Sequence, residues 1–232
     1  MGESIVTITS GKVRGVGEDG VTWFRGIPYA APPVGDLRFA LPADHAPWSD
    51  VRDATVSGPS APQVLKPFPA LDVAPLVGAA WVQGDDYLTA SIWTPDPEAK
   101  ALPVMVFIHG GAFVLGCNDT GITDGSAFAR SGVVLIAINY RLGIDGFVPI
   151  PGAPTNLGLR DQIAALKWVQ RNAAAFGGDP DNVTVFGESA GAMSVANLVA
   201  SPLARGLFRR AIIQSGHGSM VRPISVASRL TQ

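Results

Sequence analysis

The chain is 232 residues long, 47% hydrophobic and only 16% charged, with a formal net charge of −2. That length and apolar content can bury a substantial core; the absence of a basic stripe argues against a nucleic-acid partner, and that of an acidic tail against a solvating segment. One cysteine, Cys117, excludes an intrachain disulfide.

In chain order, Ile5–Ile8 and Lys12–Val16 alternate apolar and polar residues around Ser10-Gly11, which predicts a β-hairpin. A third strand is expected at Val21–Ile27, leading into a proline-rich stretch from Pro28 to Pro75. Within it, Pro59–Pro75 reads as a mobile excursion. Further strands are predicted at Leu88–Trp93, Val104–His109, Val133–Tyr140, Val183–Phe186 and Ala211–Gln214. Among the last four fall two predicted helices. Asp161–Phe176 spaces Ile163, Leu166, Val169, Ala173 and Phe176 on one face and stops at Gly177-Gly178. Ala190–Ala200 is halted by Ser201-Pro202, and Ser225–Leu230 reads as the start of a further helix. Apolar strands alternating with helices predict an α/β fold, a mostly parallel sheet covered on both faces. No apolar run approaches the ~20 residues a membrane span needs, and no secretory leader is legible, so a cytoplasmic chain is expected.

The motif with the most chemistry is Gly187-Glu188-Ser189-Ala190-Gly191, set between the buried-strand run Val183–Phe186 and a helix. In a chain this rich in glycine, chance alone gives about 0.2 matches to such a pattern, so the context carries the argument. A serine at a sharp strand-to-helix turn presents its hydroxyl outward, and glycines two positions away on either side remove Cβ atoms that would clash. The helix N-terminus adds unpaired N–H groups for a developing oxyanion. A second motif, His109-Gly110-Gly111-Ala112-Phe113, follows a strand and suits a loop whose N–H groups converge on a carbonyl oxygen. His109 precedes the serine and is expected to hold this loop, not to act as a base. His45, beside Trp48, is expected at the surface, and His217 in a loop.

Other features read as structural. Gly15-x-Gly17-x-x-Gly20 spells a dinucleotide-binding pattern, but a strand and not a helix follows it, so a hairpin turn is expected. Cys117 reads as an apolar filler. Asp161 is placed in the first turn of its helix, where the dipole favours a carboxylate. Glu188 either tunes the site electrostatically or sits in a salt bridge. No cofactor and no metal are expected.

The run from Phe176 through Gly191 resembles the active-serine signature of type-B carboxylesterases, the family of cholinesterases and bacterial p-nitrobenzyl esterases. Phe24–Ala30, Asn139–Gly143 and Asn156–Gln162 resemble the same family in the same order. The likeness runs from about Gly11 to Gly216 and corresponds to the N-terminal part of such a protein. It implies an α/β-hydrolase fold, with residues 1–232 the N-terminal part of one domain. It also implies Ser189 as nucleophile, oxyanion donors at the N–H groups of Gly111, Ala112 and Ala190, and a small-molecule ester substrate. Ala112 stands where many members carry a third glycine, and bacterial members often have alanine there. Asp85-Asp86-Tyr87-Leu88 resembles a second signature, with Tyr87 where a half-cystine commonly sits. The family's triad acid and histidine fall beyond Gln232, so both are expected from sequence outside this chain, a complementing C-terminal chain being one source. Two other readings stand beside this one: a catalytically inactive fragment or cholinesterase-like interaction module, which would usually lose the serine, and a hormone-sensitive-lipase-type enzyme. Phe24–Ala30 and Asn156–Gln162 favour type B.

Overall fold

The computed structural model describes residues 2–64, 71–78, 81–219, 221 and 223–227. Its strands are β1 (Gly2–Ile8), β2 (Gly11–Glu18), β3 (Val21–Pro28), β4 (Val51–Asp53), β5 (Thr89–Thr94), β6 (Leu102–Ile108), β7 (Val134–Ile138), β8 (Gly178–Glu188) and β9 (Arg210–Gln214). The helices are α1 (Ala74–Val77), α2 (Ser126–Arg130), α3 (Gly143–Phe147), α4 (Leu157–Asn172), α5 (Ala190–Ala200) and α6 (Ile224–Ala227).

All the strands join one sheet in the order β1-β2-β3-β5-β7-β6-β8-β9, with β4 beside β2. The short β4 pairs with β2 in parallel, and strands β7-β6-β8-β9 form a continuous parallel part. The N-terminal strands join it in antiparallel steps through β3, β5 and β7, which makes the sheet mixed as a whole. The expected β1–β2 hairpin forms, with Thr7 opposite Lys12. The glycine pattern at residues 15–20 is indeed a hairpin: Gly15 and Gly17 lie in β2, and Asp19 and Gly20 turn the chain with φ of 51° and 74°.

Strand periodicity sorts the core onto two faces. Val104, Val106 and Ile108 of β6 point with Val183 and Val185 of β8 into a large cluster shared with Leu166 and Val169 of α4 and Val195 and Leu198 of α5. Phe107 and Phe186 point the other way, into a smaller cluster with Leu135, Trp93 and Ala129 of α2. At the far end, β9 has β8 as its one neighbour and is exposed along its length. Ile212 and Ile213 are 42% and 43% exposed. Adjacent strand residues point to opposite faces, so both faces of β9 are left partly open among the described residues, although α5 packs against the strand.

Three expectations need correction. Helix α4 begins at Leu157, behind Asn156 in the left-handed region (φ 56°), a conformation asparagine tolerates. Asp161 therefore lies in the second turn, completely buried, and its partner is Arg141 and not the helix dipole. Gly177 does stop the helical run, but Gly178 already belongs to β8, which is longer than the apolar core Val183–Phe186 suggests. The excursion from Pro59 to Pro75 starts anchored: Ser60 and Ala61 are buried, and Gln63 binds Gly116 through both ends of its amide, at 2.8 and 3.0 Å. Residues 65–70 of that segment, and Ser228–Leu230 of the predicted C-terminal helix, lie outside the described residues.

Candidate active site

Ser189 sits between β8 and α5 with φ 54° and ψ −120°, a backbone conformation that a non-glycine residue adopts only under constraint. The constraints are visible. Its N–H donates to the Gln214 carbonyl at 2.9 Å, and its own carbonyl accepts from Met193 N–H at 2.9 Å. The flanking glycines are required by space. A Cβ on Gly187 would lie 2.6 Å from the Gly191 carbonyl carbon, and one on Gly191 would lie 2.0 Å from the Ile108 oxygen. The tight turn thus packs directly on the end of β6.

The chain leaving β6 forms the second half of the site. Gly111, Ala112 and Phe113 have consecutive positive φ values of 103°, 54° and 64°. Val114 and Leu115 both donate to the Gly111 carbonyl at 3.0 Å, which closes the loop. A Cβ on Gly110 would lie 3.2 Å from Ser189 Cβ and 3.0 Å from a Glu188 carboxylate oxygen, so loop, serine and carboxylate are in contact. The N–H groups of Gly111, Ala112 and Ala190 donate to no other described residue. The sequence-predicted residues are therefore brought together: one hydroxyl and three unused N–H donors at the carboxyl ends of neighbouring parallel strands.

His109 lies behind this loop. It is buried, its ring stacks on Tyr140 with centroids 4.5 Å apart, and its Nδ1 bonds the Gly110 carbonyl at 2.8 Å. Burial pushes the ring's pKa down from 6.5 to about 4. The unfolded chain takes up this proton near the ordinary value and the folded chain only near pH 4. The resulting stability is present in full above about pH 6.5 and is lost as pH falls toward about 4, on the order of 3 kcal/mol at ~1.4 per unit. Histidine ring NMR signals assigned to His109 are expected to hold their neutral positions from about pH 5 upward; a midpoint near 6.5 would contradict its burial.

The other two histidines also stand apart from the serine. His217 is exposed and shares a 2.8 Å hydrogen bond with Ser219. His45 is half-buried, not at the surface as expected, because its ring packs edge-on to Trp48 and its Nε2 lies 3.5 Å from Asp86. None of the three histidines hydrogen-bonds Ser189. Half-buried Cys117 holds its Sγ 3.7 Å from the Asp119 carbonyl, and burial raises its thiol pKa. Among the described residues no group of three His, Cys, Asp or Glu could hold a metal ion. No described helix is long and apolar enough to cross a membrane.

Sequence reading missed what grips the loop. Tyr140 donates from its hydroxyl to the His109 carbonyl at 2.7 Å, and Gly143 N–H donates to the Phe113 carbonyl at 2.7 Å. The block Asn139–Gly143 was legible as a motif, but nothing in its spacing says which loop it touches.

A strained serine between a parallel strand and a helix, beside a glycine loop with free N–H groups, defines the α/β-hydrolase class. The chain belongs to the carboxylesterase family, which it matches over residues 2–231. It is 50% identical over 225 residues to the para-nitrobenzyl esterase of Bacillus subtilis (strain 168), covering 93% of this chain and 44% of that protein. It is 42% identical over 221 residues to the cholinesterase of Mus musculus, covering 91% of this chain and 37% of that one. A solved structure of PNB esterase superimposes with a TM-score of 0.89 at 48% identity, over 98% of this chain and 47% of the other. The chain thus spans under half the length of these relatives.

Proposed function

We propose that this chain carries the nucleophile and oxyanion half of a serine carboxylic-ester hydrolase, as part of one α/β-hydrolase domain. The observation that carries the reading is the contact between the strained Ser189 turn and the Gly110–Phe113 loop. In the reaction, Ser189 Oγ attacks the carbonyl carbon of a small-molecule ester as a base takes its proton. The carbonyl oxygen becomes an oxyanion bound by the N–H groups of Gly111, Ala112 and Ala190. Collapse expels the alcohol, which leaves with that proton, and water then releases the acid from the acyl-serine by the same path. The base and its orienting acid are assigned to sequence outside these residues, since His45, His109 and His217 all have other surroundings. The same outside segment, in this chain's own polypeptide or in a complementing one, would cover the exposed Ile212 and Ile213 of β9.

The test is hydrolysis of a short-chain p-nitrophenyl ester by the 232-residue chain beside its Ser189→Ala variant. The expected rate is the same for both. Serine-dependent turnover at ordinary enzyme rates would mean that an in-chain group serves as base, and would overturn the assignment of the base to another segment.

A further inference from the structure

We infer that Tyr140 is a positioning residue for the oxyanion loop, holding the N–H groups of Gly111 and Ala112 in line with Ser189. The inference rests on the ester-hydrolase reading above and adds to it a residue which that reading does not use.

The loop is free to move in principle, because Ala112 and Phe113, two consecutive non-glycine residues at positive φ, store strain that must be opposed from outside. The opposing contacts come mainly from the segment after β7. Asn139 Oδ1 accepts from the N–H of Asn118, just beyond the loop, at 2.7 Å, and Gly143 N–H holds the Phe113 carbonyl at 2.7 Å. Tyr140 takes the other end. Its hydroxyl holds the His109 carbonyl, and its ring lies under the His109 imidazole at 20° to it. Gly111 and Ala112 lie between these two grips, so their N–H directions follow from where His109 and Phe113 are fixed. The segment cannot drift, because Arg141 is tied to Asp161 of α4 by its backbone N–H, Nε and Nη2 at 2.7–3.0 Å. Tyr140 is buried, and desolvation holds its hydroxyl pKa well above the ordinary phenol range, so it stays a donor at every working pH. Without that hydroxyl, no other side chain among the described residues donates to the buried His109 carbonyl, and the cheapest relief is a rotation of the loop's first peptide.

The experiment compares Tyr140→Phe, which keeps the stack, with Thr94→Val. The latter removes an equally buried hydroxyl-to-carbonyl bond (2.9 Å to Phe176) away from the loop. Two readouts are taken on the ¹⁵N-labelled chain: amide exchange at Val114 and Leu115, whose N–H groups close the loop on the Gly111 carbonyl, and binding of phenylboronic acid. In the boronate adduct, Ser189 Oγ adds to boron and releases its proton to solvent, leaving a tetrahedral anion whose oxygen occupies the hole. Tyr140→Phe is expected to speed exchange at Val114 and Leu115 and to weaken boronate binding about tenfold or more, as an ångström-scale misplacement does. Thr94→Val is expected to do neither at a matched loss of melting temperature. Exchange and boronate affinity in Tyr140→Phe equal to those of Thr94→Val would overturn the inference. A parent chain whose boronate shifts do not depend on Ser189 would count against the ester-hydrolase reading instead, and the exchange comparison would still decide the role of Tyr140.

Discussion

Replacement of Asp161 by alanine is expected to cost about 3–5 kcal/mol of stability, among the largest effects of any single substitution in the chain. Both side chains of the Arg141–Asp161 pair are 0% exposed. The carboxylate accepts from Arg141 backbone N–H at 3.0 Å, Nε at 2.8 Å and Nη2 at 2.7 Å, while Nη1 reaches the carbonyls of Arg38 and Ala40. Burial pushes the Asp161 carboxyl up, and the guanidinium bonds pull against it. Removing the acid strands a desolvated guanidinium that water cannot reach, and that penalty exceeds anything the pair gained by forming. The double change Arg141→Met with Asp161→Leu is accordingly expected to recover most of the loss. Urea unfolding of the three chains checks this; a loss below about 1 kcal/mol in Asp161→Ala would show the pair to be wet.

Gly191→Ala pits two effects against each other. Alanine is the better helix former by about 1 kcal/mol, and Gly191 is in the first turn of α5. A methyl there, however, would sit 2.0 Å from the Ile108 oxygen, 2.8 Å from the Ile108 carbonyl carbon and 2.9 Å from the His109 oxygen. All three are backbone atoms at the end of β6, so relief requires α5 to move off the sheet and carry Ser189 away from the loop. Overpacking of this kind costs ~3 kcal/mol or more and outweighs the propensity gain. Gly218→Ala is the control, since its added Cβ would meet Ala196 Cβ at an ordinary 3.6 Å. Thermal melts of the two variants are expected to diverge by many degrees. Equal melts would mean that the helix and strand are looser than the geometry indicates.

Much of the fold is legible in the sequence because it rests on local periodicity. The strands at Val104–His109 and Val133–Tyr140 and the helix Ala190–Ala200 emerge within two residues of their structural limits. The motif glycines are legible for a related reason: a pentapeptide needing space at Gly187 and Gly191 announces that need locally. What stays hidden depends on contacts distant in sequence. Asp161 looks like a dipole-favoured helix residue until Arg141, twenty positions away, is seen against it. Gln63 looks like part of a loose proline-rich loop until Gly116 is found in its grasp. The antiparallel attachment of β5 to β7 carries no sequence signature either, since a buried strand reads the same in either direction.

The most direct measurement is prolonged incubation of the chain with a fluorophosphonate, followed by peptide mapping. Phosphonylation joins phosphorus to the serine oxygen, expels fluoride and gives up the hydroxyl proton, here to water because no described base hydrogen-bonds Ser189. The reaction is therefore slow and is favoured only by the oriented hydroxyl and the oxyanion site. Slow, stoichiometric labelling of Ser189 alone, abolished in Ser189→Ala, is the expected result. Labelling spread over several serines, or Ser189 labelled no faster than the exposed Ser219, would contradict a strained nucleophile facing a formed oxyanion loop.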